Sequence, residues 1–387
     1  MKDKIKRFIS VCLNESLFHI LRIKARKSYK GNSNHIFVLR FAHIGDFCIW
    51  LDSARAFRNL YPDKKIIFLT YSYKNVQELA EATGYFDKVI SLDTEGFHRI
   101  KALREAAGFC GDTIINANPS RSLLSDLFVL AVNVRHRIAQ QSDHAELSAT
   151  KMKRSDKIYE KVIPCNLKAM ELIKNAEFMR GLGLKDFKAD LSVLPDVPCD
   201  VDTPTQKYAV IFPDADAPIQ MWNYKNYVKV VQNLISEYGV QCLILGGNRY
   251  RDTGAAIEKE VNSSLCKNRM GETNLVQCIQ LVRNASIVIS NDTGGAHIAA
   301  ATRTPCVVLA AGWNRGRFFP YQVETEGETL LPVDVVTNLP CLGCGIENIN
   351  RFDPECGIDG VPRCIAMNTP EVRNEKIKEL WEKCYGK

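Results

Sequence analysis

The sequence predicts an α/β protein with two Rossmann-like, doubly wound domains that face a cleft. Two series of short β-rich runs and helical stretches alternate along the chain, with a polar segment between them. This alternation is typical of parallel sheets that carry helices on both faces. The length of 387 residues also favours roughly two or three domains over a single core.

The composition and the pattern of elements divide the chain into four parts. A basic amphipathic N-terminal arm (1–34) precedes a first Rossmann-like domain (35–194), and a linker (195–207) leads to a second one (208–387). The linker contains three prolines and three aspartates but little apolar surface. Ligands of doubly wound folds bind at the carboxyl ends of the strands, so the cleft is expected there.

The elements of the first domain are predicted from hydrophobic periodicity. Its strands are placed at His35–Arg40, Lys65–Thr70, Lys88–Leu92 and Asp112–Ala117. Its helices are placed at Phe47–Leu60, Asn75–Ala82 and Arg99–Ala107.

The same periodicity predicts the elements of the second domain. The strands are Tyr208–Phe212, Gln241–Leu245, Ser286–Ile289 and Cys306–Leu309. The helices are Tyr224–Tyr238, Thr253–Val261, Leu275–Arg283, Gly294–Ala301 and a closing helix, Glu371–Cys384.

The arm holds the whole charge excess of the protein. Residues 1–30 contain nine basic and two acidic residues, and the remaining chain is balanced. A balanced body argues against nucleic-acid binding. Apolar residues from Ile5 to Leu21 recur at the spacing of an amphipathic helix. Such a helix lies on an anionic inner membrane or docks on the protein with a solvated basic end, and the pattern fits both.

The expected location is the cytoplasm. No apolar run approaches the roughly 18 residues of a spanning helix, and the N-terminus lacks a signal-peptide cleavage site. Four of the fourteen cysteines are clustered: Cys341, Cys344, Cys356 and Cys364. Their pattern resembles a zinc ribbon with an unusually wide second pair, which suggests structural zinc. Reduced thiols are the main alternative, since a reducing compartment disfavours disulfides.

The first motif with functional character is RFAHIGD, which runs from Arg40 to Asp46 after the first strand. Gly45 allows the backbone to turn tightly and to approach a ligand closely. Asp46 stands at the start of the next helix, with its carboxylate expected to face the cleft. The alternative is that Asp46 is an N-cap residue.

The second motif is the sequence SNDTGGAHIAAA, where an apolar strand leads through a glycine turn into an alanine-rich helix. Exposed amides at such a helix start bind anions, and the glycines let a phosphate come close. Thr293 and His297 are four residues apart and share a helix face. Asp292 caps the helix or binds a ribose hydroxyl. Position on the ligand side favours a functional over a structural role for His297.

In these two motifs the chain resembles glycosyltransferase family nine, the family of the lipopolysaccharide heptosyltransferases. The resemblance runs from Ile36 to the last helix and includes Tyr61-Pro62-Asp63, NDTGGAHIAAATRTPCVVLAAG and the cysteine segment. It implies the GT-B fold and inverting transfer of heptose from ADP-heptose to a lipopolysaccharide core or related lipid-linked cell-envelope glycan. It also implies that the chemical step needs no metal. A transferase for another nucleotide sugar and a catalytically weak binding homologue are the alternatives.

The resemblance assigns roles to single residues. Asp46 matches the general base of the family. The matching donor residues are Asp292, Thr293, Gly294 and His297. Thr273, in the loop Gly271–Thr273, lies where the family encloses the nucleotide base.

One segment departs from the family pattern. Gln220 stands where the family has a donor-binding lysine. Asp214 and Asp216 lie nearby, where the anionic diphosphate of the donor is expected to bind. Carboxylates that face a diphosphate weaken its binding unless a cation intervenes. Arg317, together with Arg315, is the candidate replacement cation; the alternative is that both arginines are merely solvated.

Overall fold

The computed structural model describes residues 2–25, 29, 34–72, 75–143, 145–216, 220–327, 329–344, 356–358 and 360–386. Within them lie two parallel six-stranded sheets and a small two-stranded sheet. The chain divides into two compact units. The first comprises Met1–His43, Ser53–Leu167 and Lys174–Phe187; the second comprises Ile44–Asp52, Lys168–Ile173 and Lys188–Lys387.

The first unit is built on a sheet with the strand order β3-β2-β1-β4-β5-β6. These strands are β1 (His35–Leu39), β2 (Lys65–Tyr71), β3 (Lys88–Leu92), β4 (Cys110–Asn116), β5 (Asn133–Gln140) and β6 (Lys161–Ile163). The central strands are nearly continuous apolar runs, as expected when helices cover both faces. Phe37 of β1, for example, is paired with Ile67 and Ile114 on its two neighbours.

The helices before the second sheet alternate with these strands, with α1 before β1 and α7 after β6. They are α1 (Lys2–Lys24), α2 (Ile44–Leu60), α3 (Val76–Thr83), α4 (His98–Ala106), α5 (Leu123–Ala131), α6 (Ala149–Asp156) and α7 (Glu171–Leu182). Two of them belong to both units. The first nine residues of α2 and the first three of α7 are grouped with the second unit.

The second unit repeats the design with the strand order β12-β11-β10-β7-β8-β9. Its strands are β7 (Tyr208–Phe212), β8 (Gln241–Ile244), β9 (Cys266–Asn268), β10 (Ile287–Asn291), β11 (Cys306–Leu309) and β12 (Val333–Val335). Its helices are α8 (Tyr224–Tyr238), α9 (Arg251–Val261), α10 (Leu275–Arg283), α11 (Gly294–Thr302), α12 (Arg363–Ala366) and α13 (Pro370–Tyr385). Strands β13 (Gly357–Ile358) and β14 (Val361–Pro362) form the antiparallel pair.

Each large sheet has a topological switch point, where successive strands depart in opposite directions. The switch point lies between β1 and β4 in the first unit and between β7 and β10 in the second. Loops at the carboxyl ends of such strand pairs form the ligand sites of doubly wound folds. The predicted fold class of two Rossmann-like doubly wound sheets is thereby confirmed.

The described side chains of α1 dock on the first unit. Phe18 is fully buried in its core, which also contains residues of α5. Glu15 forms ion pairs with Lys151 and Arg154 of α6, at 3.3 and 2.6 Å. The side chains of residues 2–12 lie outside the described part. The docked alternative therefore holds for the described side chains of α1, from Leu13 onward.

The predicted linker, residues 195–207, lies against the second unit. Its backbone carbonyls accept hydrogen bonds from side chains of that unit, such as Arg269 to Asp202 at 2.6 Å and Gln277 to Asp200 at 2.9 Å. It contains neither helix nor strand. Prolines and aspartates thus mark an extended segment fixed by these hydrogen bonds, and the domain boundaries stay predictions.

Candidate active site

The turn between β10 and α11 lies at the switch point of the second unit. Asn291, fully buried, donates from Nδ2 to the carbonyl of Pro213 at 2.8 Å and accepts from the Tyr227 hydroxyl at 2.6 Å. These bonds tie the carboxyl end of β10 to that of β7. The turn that follows, Asp292-Thr293, is therefore held at a fixed position beside the neighbouring loop.

The second residue of helix α11 is a glycine because another segment of the chain approaches the first turn of the helix closely. A Cβ atom on Gly295 would lie 2.4 Å from the ring of Phe212, the last residue of β7. Thr293 is the N-cap residue, and its side chain makes no capping hydrogen bond. The alternative that Asp292 caps this helix is wrong, since Asp292 lies one residue before the N-cap. An anion can therefore use the amides of the first turn.

The two motifs singled out from the sequence meet in the second unit. A Cβ built on Gly294 would contact Ile44 at 3.7 Å. A Cβ on Gly45 would lie 2.5 Å from Cδ2 of His297, which is far inside van der Waals contact. The start of α2 therefore packs directly on the start of α11. Gly45 makes this approach sterically feasible, whereas a methyl group at Gly294 would make only ordinary van der Waals contact.

Asp46 is the third residue of α2 and lies in its first turn, half-buried. The N-cap alternative is wrong, because the helix already begins at Ile44. The carboxylate is close enough to His297 and to Cys48 to act electrostatically on both. The structure thus brings the predicted base and the predicted donor histidine together.

His297 is enclosed by aromatic side chains. Its ring stacks on Phe319, with 5.1 Å between ring centroids, and Nδ1 lies 2.7 Å from the hydroxyl of Tyr321. Burial lowers the pKa of His297 to about 4, although the carboxylate of Asp46 acts in the opposite direction. The imidazole is therefore neutral at physiological pH.

Loops after three neighbouring strands form the other side of the site. Asp214, after β7, accepts a hydrogen bond from the amide of Gly247, after β8, at 3.0 Å. The amide of Gly271, after β9, donates to the carbonyl of Gly246 at 2.9 Å. Half-buried Thr273 follows in the same loop, where the sequence placed it beside the nucleotide base.

Asp214 is thus engaged within the protein. Its carboxylate faces the Gly246–Gly247 backbone, and burial raises its pKa, although the Gly247 amide acts in the opposite direction. Asp216 is exposed, and its carbonyl accepts from the Arg249 guanidinium at 3.5 Å. Arg249 is a cation in this loop region that the sequence analysis missed, because no motif in the neighbouring sequence indicates a site residue there.

Gln220 is half-buried and follows residues 217–219, which lie outside the described part. Nearby Trp222 is buried, with its indole N–H bonded to the carbonyl of Asn368 at 3.1 Å. The guanidinium of Arg373 lies 4.7 Å from the Trp222 ring and donates to the carbonyl of Ser290 at 2.8 Å. The tryptophan therefore anchors this loop to the core.

The two candidate replacement cations are both ion-paired. Arg315 pairs with Asp334, and Nε of Arg317 lies 3.1 Å from the carboxylate of Glu171. The alternative that both arginines are merely solvated is therefore wrong. Pairing also lowers the net charge that Arg317 presents to an anion. No sequence signal predicted these partners, since Glu171 precedes Arg317 by 146 residues.

None of the four clustered cysteines forms a disulfide within the described residues; two of them are exposed and one is buried. Cys344 and Cys356 act electrostatically on Cys364, and burial raises the pKa of the Cys364 thiol, whereas amides of Gly312 and Trp313 act against this. Within the described part of the chain, no group of three or more acidic, histidine or cysteine side chains is arranged to hold a metal. Residues 345–355, between the second and third cysteines, lie outside that part.

The site combines the parts that transfer from a phosphate-bearing donor needs. It offers amides at a helix start that the side chain of Thr293 does not cap, a neutral histidine and a carboxylate next to them. The amides can hold an anion, and the carboxylate can accept a proton. Tyr321 and Asn291 also belong to this arrangement, and the sequence analysis did not identify either of them.

The chain is similar to known proteins of one family. The model of glycosyltransferase family 9 (heptosyltransferase) matches residues 100–329. The lipooligosaccharide heptosyltransferase 2 of Haemophilus influenzae is 27% identical over 169 residues, which are 43% of this chain and 44% of that protein. The chain therefore matches less than half the length of that relative.

Solved structures share the fold. A glycosyltransferase family 9 protein from Veillonella parvula superposes with a TM-score of 0.71 at 15% identity, covering 92% of this chain and all of that chain. The ADP-heptose lipopolysaccharide heptosyltransferase II of Escherichia coli has a TM-score of 0.66 at 19% identity, covering 90% and 99%. At such identities the likeness shows the fold.

Proposed function

Because this chain belongs to glycosyltransferase family 9, the heptosyltransferase family, we propose that it transfers a sugar from a nucleotide donor to an acceptor hydroxyl. The contact between the start of α2 and the start of α11 is the observation that carries this proposal. In support of it, the carboxylate of Asp46 acts electrostatically on His297, and the side chain of Thr293 does not cap the start of α11. A proton acceptor and an anion-binding group are the two requirements of inverting transfer from a sugar diphosphate.

In the proposed reaction one group accepts a proton and another stabilises the leaving diphosphate. Asp46 takes the proton of the acceptor hydroxyl while that oxygen attacks the anomeric carbon and the bond to the diphosphate breaks. Negative charge then grows on the leaving diphosphate. The amides at the start of α11, together with Thr293 and His297, stabilise that charge, and Asp292 binds the nucleotide part of the donor. The chemical step requires no metal in this scheme.

The proposed donor is ADP-heptose, and the proposed acceptor is a lipopolysaccharide core or related lipid-linked cell-envelope glycan. The E. coli structural relative bears ADP-heptose in its name, and the H. influenzae relative is named for lipooligosaccharide. We place the reaction on the cytoplasmic side of the inner membrane. No described helix is long and apolar enough to cross a bilayer, so membrane contact is proposed only at the surface.

A second candidate is a nucleotide-sugar-binding homologue with weak catalysis. Gln220 in place of a lysine and the pairing of Arg317 with Glu171 favour it, because both reduce the positive charge offered to a diphosphate. Asp46 beside His297 favours the transferase. The two functions differ in one measurable property, which is transfer after donor binding.

The first experiment measures donor binding. ADP at a hundredfold excess over its dissociation constant should stabilise the protein by roughly 2.7 kcal/mol. His297→Ala should weaken this protection, and Gln220→Lys should strengthen it by returning a cation. Failure of ADP, UDP and GDP alike to shift the melting temperature would argue against a nucleotide-sugar donor.

The second experiment measures transfer from ADP-, UDP- and GDP-sugars to extracted glycolipid acceptors. Asp46→Asn should bind ADP as the wild type does and lose roughly 10²–10⁴ in turnover, since only the base is removed. Turnover should persist in the presence of a chelator. ADP binding without any transfer would select the second candidate, and near-normal turnover of the variant would exclude Asp46 as the base.

We also propose a structural metal, such as zinc, at the four clustered cysteines, apart from the chemistry. Thiolates are the ligands that soft divalent metals prefer, and the sulfur atoms of Cys344 and Cys356 each lie within electrostatic range of Cys364. Backbone amides that point at the Cys364 sulfur favour its thiolate form. Reduced thiols without metal remain the alternative.

A further inference from the structure

The two ring nitrogens of His297 have different surroundings. Nδ1 lies 2.7 Å from the hydroxyl oxygen of Tyr321, and each of these two residues is only 5% exposed. Nε2 has no hydrogen-bond partner in the described part of the chain. The ring edge that carries Nε2 faces the backbone of Gly45, which lies in the first turn of α2.

A count of protons and acceptors determines the direction of the bond between His297 and Tyr321. The hydroxyl of Tyr321 has one proton, and the described residues offer it one acceptor, Nδ1. If Nδ1 carried the ring proton, it would donate to the hydroxyl oxygen, and the Tyr321 proton would be buried without an acceptor. If Tyr321 donates to Nδ1, both groups are satisfied, and the ring proton resides on Nε2.

The charged form of the ring is also excluded by its surroundings. An imidazolium would donate from Nδ1 and would again leave the Tyr321 proton without an acceptor. Burial between Phe319 and the start of α2 also disfavours a positive charge, and Asp46 compensates only in part. The remaining state is a neutral ring with its N–H at Nε2.

We propose that Tyr321 is a positioning residue that holds His297 in the neutral tautomer protonated at Nε2, so that Nε2–H donates a hydrogen bond to a phosphate oxygen of a nucleoside diphosphate. The choice of ligand rests on the proposed function, whereas the tautomer does not. A neutral donor retains its proton across the physiological pH range. It therefore adds one hydrogen bond to those donated by the helix amides. This hydrogen bond does not depend on a positive charge that would be lost as the pH rises.

Nitrogen-15 NMR of the histidine rings tests the tautomer in the free protein. The chain has seven histidines, and the His297 signals are those lost in His297→Gln. We expect an Nε2 shift typical of a protonated ring nitrogen and an Nδ1 shift typical of an unprotonated one. The opposite pair of shifts, or two shifts that are both typical of protonated nitrogens, as in an imidazolium at pH 7, would overturn the proposal.

Removal of the hydroxyl tests its role. Tyr321→Phe should let the two tautomers mix and should raise the pKa of His297, because Nδ1 loses the donor that favoured the neutral ring. The dissociation constant for ADP should rise by about 5–10-fold, the equivalent of one neutral hydrogen bond. An unchanged nitrogen spectrum in this variant would show that Tyr321 does not determine the tautomer.

Tyr208→Phe is the matched control. The Tyr208 hydroxyl is buried and donates to the carbonyl of Leu281 at 2.7 Å, but it stands at the opposite end of β7 from the site. This variant should lose similar stability and keep wild-type ADP affinity; an equal loss of affinity in both variants contradicts positioning by Tyr321. If the wild type binds no ADP, the proposed donor fails, and the NMR spectra still decide the tautomer.

Discussion

At the scale of single residues, Gly45 has a steric role that its neighbours in sequence do not reveal. Its Cα faces the ring of His297, which is itself held by stacking on Phe319 and by the Tyr321 hydroxyl. A ring fixed on two sides cannot move easily. The small size of Gly45 is therefore required by packing against another helix, and the chain does not need positive φ there.

Gly45→Ala should weaken ADP binding about tenfold and should destabilise the protein by about 1–3 kcal/mol, because the new methyl group overlaps Cδ2 of His297. Thermal unfolding and ADP titration measure both effects. In a His297→Ala background the steric part of the penalty should largely vanish. A penalty of equal size in both backgrounds would mean that Gly45 is needed for a reason other than this contact.

The buried histidine also makes stability depend on pH. The folded pKa of His297, about 4, lies below its ordinary value of 6.5, so the unfolded chain binds more protons between these values. The stabilisation is complete above roughly pH 6.5 and is lost as the pH falls toward 4, with a limit of about 3 kcal/mol. Urea unfolding at pH 7 and pH 5 should show this loss, and His297→Gln should reduce it. An equal loss in the variant would assign the dependence to other groups.

At the scale of elements, α1 has a docked face and an exposed face. Phe18 is part of the core of the first unit, whereas Ile20 and Ile23 are 61% and 67% exposed. Basic residues accompany them, among them Lys24 in the last turn. Exposed apolar side chains beside basic ones suit the surface of an anionic membrane.

Replacement of Ile20 and Ile23 by serine should release the protein from vesicles of anionic lipid at low salt, as measured by flotation. Deletion of residues 1–30 is a poorer test, since it removes Phe18 from the core. Val372→Ser, another exposed apolar position at 44%, is the matched control and should leave flotation unchanged. If the wild-type protein does not float with vesicles at low salt, α1 is a docked helix alone.

The cysteine cluster permits a direct measurement. Elemental analysis of freshly purified, reduced protein should find about one metal per chain if the four thiols bind it. Cys364→Ser should remove that metal, because Cys364 is the buried member near two of the others. Well under one metal per chain in the wild type would leave reduced thiols. Cys165→Ser, a buried thiol in the first unit, is the control.

For the molecule as a whole, the helices and strands could be predicted where the local sequence contains caps or a clear hydrophobic periodicity. Helices with defined ends, such as α8 between Asn223 and Gly239, were placed correctly, since their caps are visible in sequence. Helix α5 was missed because nearly all of its residues are buried, so it has no polar face. Strands β6 and β9 were missed because each has three residues.

The site was predictable in its motifs but not in its contacts. The glycine turns indicated where two helices begin, since glycine at a strand-to-helix turn lets a ligand or another segment approach the backbone closely. The partners of His297 and Arg317 come from distant loops, and long-range pairs leave no local pattern. Tyr321, for instance, looks like any aromatic residue until the fold places it 2.7 Å from Nδ1.

The division of α2 bears on how the protein can be taken apart. Ile44–Asp52 and Lys168–Ile173 are grouped with the second unit, although each interrupts the sequence of the first. A fragment that starts after the linker would therefore lack the helical turn that packs on His297. Chimeras that exchange donor specificity between relatives should carry these two inserts along with the carboxyl-terminal half.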